Sequence, residues 1–160
     1  MSNRDLFHGF SLQSVDDKGR VAIPADLRAV LDKNAEARQV LIGRHQVQRC
    51  LLGYDAEWAK LLNDEGNELA RSARAEGREF DEAAWRRANR VEKSSYDSAG
   101  RFVLPAFERD KAGIGKWAFF AGEGDQFQIW APEILLAADI NDTDLKERCA
   151  FYLAQKKVAL

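Results

Sequence analysis

A ten-residue stretch occurs twice in this chain, and this duplication constrains the fold more than any other feature. Residues 15–24 read Val-Asp-Asp-Lys-Gly-Arg-Val-Ala-Ile-Pro, and residues 96–105 read Tyr-Asp-Ser-Ala-Gly-Arg-Phe-Val-Leu-Pro. Asp, Gly, Arg and Pro recur at identical spacing, 81 positions apart. In both copies an apolar residue precedes the Asp, and three apolar residues separate Arg from Pro. Self-similarity of this extent predicts an internal duplication of one structural unit.

The first copy of the motif is predicted to form a β-hairpin that leads into a helix. Partial alternation of apolar and polar residues predicts a strand over residues 7–15. The Asp-Lys-Gly sequence at residues 17–19 predicts a turn, because glycine adopts positive φ and Asp accepts hydrogen bonds from nearby amides. Residues 20–23 are predicted to form the second strand of the hairpin. Pro24 then suits the first turn of a short amphipathic helix.

A second hairpin is predicted to complete each copy. In the first copy it consists of strands at residues 39–42 and 50–54. The second copy follows the same plan, with strands and one short helix at residues 91–96, 101–104, 105–111 (the helix), 117–122 and 126–130. Each repeat is therefore predicted as β-β-α-β-β, and the fold class as α+β.

The two repeats are joined and followed by helical sequence. The connection carries an N-cap candidate at Asp55 and an interruption at Gly77. The predicted organisation is one domain over residues 1–160, divided into a first repeat at 7–54, a helical connection at 55–90, a second repeat at 91–136 and a C-terminal helix at 141–160.

Composition limits the functional classes. The formal net charge of −2 is not that of a polycation, so a nucleic-acid binder of this type must concentrate positive charge locally or assemble many copies. Cys50 and Cys149 lack metal-ligand spacing and are predicted to be reduced thiols. No apolar run is long enough to span a membrane. We therefore expect a soluble cytoplasmic protein that holds no metal and no cofactor.

The repeated motif itself favours binding over catalysis. Two turns related by a pseudo-twofold axis would place Arg20 and Arg101 on one surface, and arginine suits forked contact with phosphate or guanine edges. Asp16 and Asp97 could form a carboxylate pair, but an Arg four residues after each one keeps both ionised, which disfavours acid–base chemistry. A hydrolase that uses this pair is the weakest of the functional alternatives. No P-loop, dinucleotide fingerprint or nucleophile elbow is present, so no catalytic residue is predicted.

These residues resemble the MraZ family over nearly the whole chain. The segments that carry the resemblance are Phe7-His8-Gly9, Asp16-Asp17-Lys18-Gly19-Arg20, Ile23-Pro24, Leu27-Arg28, Asp97-Ser98-Ala99-Gly100-Arg101, Leu104-Pro105, Gly122 and Phe127-Gln128-Ile129-Trp130. The resemblance implies an AbrB/MazE-like swapped-hairpin β-barrel, in which two SpoVT-AbrB-like repeats of one chain form an intrachain pseudo-dimer.

The resemblance also implies a function. MraZ-like proteins are ring-forming homo-oligomers that bind direct repeats in double-stranded promoter DNA. They regulate transcription of the division and cell-wall gene cluster, including their own promoter, and associate with the nucleoid. No membrane and no small-molecule substrate is implied. Carried over to this sequence, the DNA-facing residues are Asp16, Lys18, Arg20, Asp97 and Arg101. Arg28 matches a family arginine after the first Pro, and it has either a DNA contact or a structural role.

Two positions depart from the symmetry of the repeats. Ala99 replaces the basic residue found at Lys18, so the first turn is expected to be the stronger DNA contact. Glu108 stands where the first repeat has Leu27, so the second short helix is expected to pack differently.

The leading interpretation is a DNA-binding transcriptional regulator. The alternative is a ring-forming protein-interaction scaffold whose Asp/Arg turns serve subunit contacts.

Overall fold

A computed structural model describes residues 3–160, which form a mixed α+β fold of eight strands and six helices. The strands are β1 (Phe10–Ser14), β2 (Arg20–Ala22), β3 (Gln39–Arg44), β4 (Leu51–Tyr54), β5 (Val91–Ser95), β6 (Arg101–Val103), β7 (Trp117–Gly122) and β8 (Phe127–Trp130). The helices are α1 (Ala25–Asn34), α2 (Ala56–Ala75), α3 (Glu82–Ala88), α4 (Ala106–Ala112), α5 (Pro132–Ala137) and α6 (Thr143–Gln155). The predicted α+β class is confirmed.

Two of the four predicted hairpins are confirmed and two are wrong. β3 pairs with β4, and β7 with β8, both antiparallel as predicted. The motif strands on either side of each turn do not form a ladder with one another. Instead β1 pairs with β7, β2 with β6, and β5 with β3, all antiparallel. The reason is burial: the pairing of β2 with β6 places Val21 opposite Phe102, and both side chains are buried in the core.

The strands of the two repeats are interleaved. Six strands form one sheet in the order β1-β7-β8-β4-β3-β5, and β2 and β6 form a separate two-stranded ribbon. Exchange of the two repeats (β1 with β5, β2 with β6, β3 with β7, β4 with β8) reproduces the same order read from the other end. The ribbon maps onto itself under this exchange. The duplication seen in sequence therefore corresponds to a symmetric strand arrangement.

The core consists of two apolar clusters. The larger joins residues of both repeats, among them Phe102, Phe120 and Phe127. The smaller lies against α5 and α6 and contains Phe119 and Trp130. These aromatic side chains are buried and form part of the core.

The two cysteines are both buried and free in the described part of the chain, in agreement with the prediction of reduced thiols. Both belong to the smaller cluster. Burial raises the pKa of Cys149 to about 12, and it raises the pKa of Cys50 as well. Both thiols therefore stay protonated and unreactive near neutral pH.

The connection between the repeats is helical, as predicted. Asp55 caps α2 by accepting a hydrogen bond from the Trp58 amide at 2.8 Å. The chain leaves the helix at Gly77, where φ is +67°. Trp85 of α3 packs against α2 at Gly66, where any larger side chain would collide with the indole. None of the helices in residues 3–160 is long and apolar enough to cross a membrane.

Candidate nucleic-acid interface

The two copies of the motif form the same tight turn. In the first, Asp16 Oδ1 accepts hydrogen bonds from the amides of Lys18 (2.9 Å) and Arg20 (2.8 Å). The Gly19 amide donates to the Asp16 carbonyl at 3.0 Å, with the glycine at a φ of +82°. This positive φ explains why glycine occupies the position. The turn is therefore fixed by one carboxylate that satisfies two backbone amides.

The second turn reproduces this geometry. Asp97 Oδ1 accepts from the amides of Ala99 (3.0 Å) and Arg101 (2.9 Å), and the φ of Gly100 is +81°. The same bonds form although the residue after each Asp and the one before each Gly differ between the copies. Asp and Gly therefore set the turn. The position before each Gly is exposed and does not affect the turn, so it holds a lysine in the first copy (Lys18) and an alanine in the second (Ala99).

Each Asp also forms an ion pair with the Arg that follows the turn. Arg20 Nε lies 2.7 Å from Asp16 Oδ2, and Arg101 Nε lies 3.0 Å from Asp97 Oδ2. Both pairs are exposed to solvent. Only the Nε atoms take part, and the terminal nitrogens of both guanidinium groups make no hydrogen bond within residues 3–160. The donors best suited to a forked contact are therefore available to a ligand.

The turns keep both carboxylates ionised. The hydrogen bond from the Arg20 amide, reinforced by the Arg20 side chain, lowers the pKa of Asp16. The hydrogen bond from the Arg101 amide likewise lowers the pKa of Asp97. Together with the Arg101 side chain, it outweighs the partial desolvation, which would raise this pKa. Two carboxylates whose pKa values shift in the same direction are not arranged as an acid–base pair.

The β2–β6 ribbon brings the two arginines together. Arg20 stands opposite Val103, and Arg101 opposite Ala22. Opposite residues of an antiparallel pair share a face, as do residues two positions apart on one strand, so both arginines lie on the same face of the ribbon. They occupy diagonal positions, for which the separation of Cβ atoms is about 7–8 Å. The other face carries the buried side chains of the ribbon.

A groove of about 610 Å³ lies over this face. Both Asp/Arg pairs line it, together with the ends of β1 and β5 at Ser14 and Ser95. The structure thus brings four of the six predicted site residues together: Asp16, Arg20, Asp97 and Arg101. Lys18 is exposed but lines a neighbouring groove, which it shares with Arg109 and Asp110.

Each turn is supported by the other repeat. The Ile23 amide donates to the Gly100 carbonyl at 2.8 Å, and the Leu104 amide donates to the Gly19 carbonyl at 2.9 Å. The sixth predicted residue, Arg28, is half-buried beneath the second turn, with Nη1 2.9 Å from where a Cβ on Gly100 would lie. This position makes Arg28 a support for the turn and leaves it less accessible than the two motif arginines.

Arg109 is the counterpart of Arg28, and sequence reasoning missed it. Its Nη1 lies 3.2 Å from where a Cβ on Gly19 would lie, and its Nε donates to the Ile114 carbonyl at 3.0 Å. The signal was present in the sequence, since Arg28 and Arg109 are separated by the same 81 positions as the motifs. Each repeat therefore provides one arginine that packs under the turn of the other.

Comparison with known proteins decides the family. A family model described as "MraZ protein, putative antitoxin-like" matches residues 6–79. A protein of Saccharophagus degradans named transcriptional regulator MraZ is 35% identical over 147 residues, covering 87% of this chain and 92% of its own length. The chain belongs to the MraZ family. Proteins of the same name from Rhodospirillum rubrum (34% identity, 82% and 83% coverage) and a Ruegeria species (36%, 79% and 78%) are also similar.

The MraZ match extends over both copies of the motif. The family model covers the first repeat and α2, whereas the alignments with relatives span most of the chain. The family resemblance inferred from the paired motifs is thereby confirmed. The family is one of transcriptional regulators and not of enzymes, as predicted.

Proposed function

We propose that this chain is a sequence-specific DNA-binding transcriptional regulator. In this proposal the groove over the β2–β6 ribbon binds double-stranded DNA. The observation that carries it is the pair of exposed guanidinium groups on one face, each held by its Asp with both terminal nitrogens unused. The relatives' name, transcriptional regulator MraZ, supports the same function.

The shape of the ribbon suits this role. A two-stranded antiparallel ribbon is one of the elements that the major groove of B-DNA admits. Strands of three residues extend about 10 Å, which is comparable to the width of that groove of about 12 Å. The ionised Asp16 and Asp97 orient the guanidinium groups without occupying their terminal nitrogens. Lys18 adds a cation at the first turn, and Arg28 stabilises the second turn from below.

The finer assignments form part of the same proposal. The interleaved strand order supports an AbrB/MazE-like swapped-hairpin barrel, with repeats at residues 7–54 and 91–136 as an intrachain pseudo-dimer, a helical connection at 55–90 and a terminal helix at 141–160. The protein acts in the cytoplasm and at the nucleoid. It assembles into a ring-shaped homo-oligomer and regulates its own promoter, in the division and cell-wall gene cluster, by binding direct repeats.

Assembly would compensate for the small number of basic contacts that each copy offers to DNA. The chain carries a formal net charge of −2, so one copy offers few attractive contacts to DNA. Linked copies that bind repeated sites convert later binding events into intramolecular ones and raise the overall affinity without new contacts. The expected signature is a steep dependence of affinity on salt concentration.

A gel-shift titration on the promoter DNA upstream of its own gene tests the proposal. The double variant Arg20→Ala, Arg101→Ala should bind at least tenfold more weakly, because each such contact contributes about 1–3 kcal/mol. Arg71→Ala is the matched control, since this exposed arginine also pairs with a nearby carboxylate, that of Glu68 at 3.0 Å. Wild-type affinity in the double variant would contradict the proposal. Loss of the oligomer instead would favour the scaffold alternative.

A further inference from the structure

The short helix of the second repeat has an inverted pattern of burial. α1 and α4 are equivalent, and the first repeat has an exposed Asp26 followed by a buried Leu27. The second repeat has Phe107 and Glu108 at these positions. The phenylalanine is 57% exposed, and the glutamate is buried. An apolar ring on the surface beside a carboxylate in the interior is the reverse of what folding alone favours.

The exposed Phe107 ring lies among cationic side chains. The Arg44 guanidinium lies 5.3 Å from the centroid of the Phe107 ring, and Lys111 Nζ lies 5.4 Å from it. Glu108 fixes Arg44 through an ion pair of 3.0 Å. Arg49 Nε donates to the Lys111 carbonyl at 2.9 Å, which adds a third cation. We refer to Phe107, Arg44, Arg49 and Lys111 as the Phe107 surface.

The composition of this surface is that of a protein-binding site. Aromatic residues and arginine are enriched at binding hot spots, and a ring held in place by its neighbours loses little conformational entropy on binding. Its positive charge selects a partner that offers an apolar side chain next to carboxylates. A second Phe107 surface is a poor partner, because a symmetric contact would bring the two sets of cations together.

The equivalent face of the first repeat has the complementary character. The segment before β1 runs alongside α1: the Asp5 amide donates to Asn34 Oδ1 at 2.8 Å, and Asp26 Oδ2 lies 3.3 Å from where a Cβ on Gly9 would lie. Between these points Leu6 is 48% exposed. Asp5 pairs with Lys33 at 3.0 Å, whereas Asp26 has no ion pair within residues 3–160. We refer to Asp5, Leu6 and Asp26 as the Leu6 surface.

We propose that the Phe107 surface of one copy binds the Leu6 surface of a second copy. Phe107 would pack on Leu6, while Lys111 and Arg44 meet the carboxylate of Asp26. Because the two surfaces differ, a bound pair leaves one Phe107 surface and one Leu6 surface free, on different copies, and the contact repeats head to tail until it closes into a ring or extends. The inference rests on the self-association in the proposed function, and is independent of the DNA contact.

The oligomeric state in the absence of DNA tests the interface. Sedimentation velocity of the wild-type chain should show an oligomer, and Phe107→Ala should raise the apparent dissociation constant at least tenfold. The ring is already exposed, so folding measured by circular dichroism should not change. Phe151→Ala on α6 is the matched control, because that ring is 58% exposed. A monomeric wild-type chain, or Phe107→Ala assembled like wild type, would overturn the proposal.

Charge reversal identifies the partner surface. Lys111→Glu and Asp26→Lys should each dissociate the oligomer, and the double variant should reassemble because every contact regains opposite charges. Single variants that stay assembled, or a double variant that stays dissociated, would overturn the pairing.

A DNA fragment with a single site separates this result from the DNA-binding proposal. Phe107→Ala should bind that fragment as wild type does. Loss of single-site binding by a Phe107→Ala chain that remains assembled would place this surface at the DNA and would overturn the inference. Failure of the wild-type chain to bind the fragment would count against the DNA-binding proposal alone.

Discussion

Removal of the Asp55 carboxylate should be strongly destabilising. The side chain is fully buried and accepts four hydrogen bonds from the described part of the chain. Its donors are Arg4 Nη2 (2.6 Å) and Nε (3.3 Å), Asn34 Nδ2 (2.9 Å) and the Trp58 amide (2.8 Å). One carboxylate thus joins the N-terminal segment, α1 and the start of α2.

The magnitude follows from the burial of both partners. Asp55→Ala leaves the buried guanidinium of Arg4 without this partner, and loss of one member of a buried ion pair costs about 3–5 kcal/mol. That figure includes an N-cap worth about 1 kcal/mol. Arg4 keeps an ion pair with Asp125 at 2.7 Å, which favours the lower end of the range, about 3 kcal/mol. For a chain of this length the midpoint of thermal unfolding should fall by about 6–12 °C.

Urea denaturation followed by tryptophan fluorescence at a single protein concentration measures this change. Asp125→Ala is the control, because its carboxylate binds the same guanidinium but is 46% exposed and should cost under about 1 kcal/mol. Equal losses for the two variants, or a loss below about 1 kcal/mol for Asp55→Ala, would refute the reasoning from burial.

The same carboxylate gives a pH dependence of known sign. Burial alone would raise the pKa of Asp55, but the hydrogen bonds from Arg4, Trp58 and Asn34 hold it below its ordinary value of 3.8. Because the pKa of this carboxyl group is lower in the folded than in the unfolded state, it stabilises the folded state at any pH above its unfolded-state pKa. This stabilisation is lost as the pH falls through the folded-state pKa. The difference in free energy of unfolding between wild type and Asp55→Ala should therefore shrink below about pH 3.8.

Three further substitutions test the account of the turns and of α4. Ala99→Lys restores the cation present at Lys18, so DNA affinity should rise and the salt dependence should steepen by about 0.9 in titrations at several salt concentrations. Gly100→Ala forces a side chain into a φ of +81°, so thermal unfolding should show a loss of about 1–3 kcal/mol. Glu108→Leu should stabilise by about 1 kcal/mol in urea, since Arg44 is half-exposed and remains solvated. Burial raises the pKa of Glu108, so this gain in stability should be largest above the ordinary carboxyl pKa and should shrink in acid.

The sequence predicted the local elements of this fold well because their signals are local. The turn of Asp16 and Gly19, the cap at Asp55 and the break at Gly77 each depend on bonds within a few residues. Strand partners depend on burial across the whole chain. The motif strands were therefore predicted to pair within each repeat, whereas the structure pairs each with a strand of the other repeat.

The candidate site was predictable only in part. The recurrence of Asp and Arg identified the residues that line the groove, and the duplication indicated that the two turns share one surface. Arg109 was not predicted because it lies outside the ten-residue motif, four residues after its Pro105. Arg4 carries no local pattern, since its role comes from residues 51 and 121 positions further along the chain.

The most direct test of the central claim compares the salt dependence of DNA affinity between the wild-type chain and the double variant Arg20→Ala, Arg101→Ala. If both turns contact one DNA duplex, the slope of log affinity against log salt should fall by about 1.8, or 0.9 for each of two phosphate contacts. The affinity at low salt should fall with it. A double variant whose affinity and slope both match those of wild type would contradict the claim that the groove over the β2–β6 ribbon binds DNA.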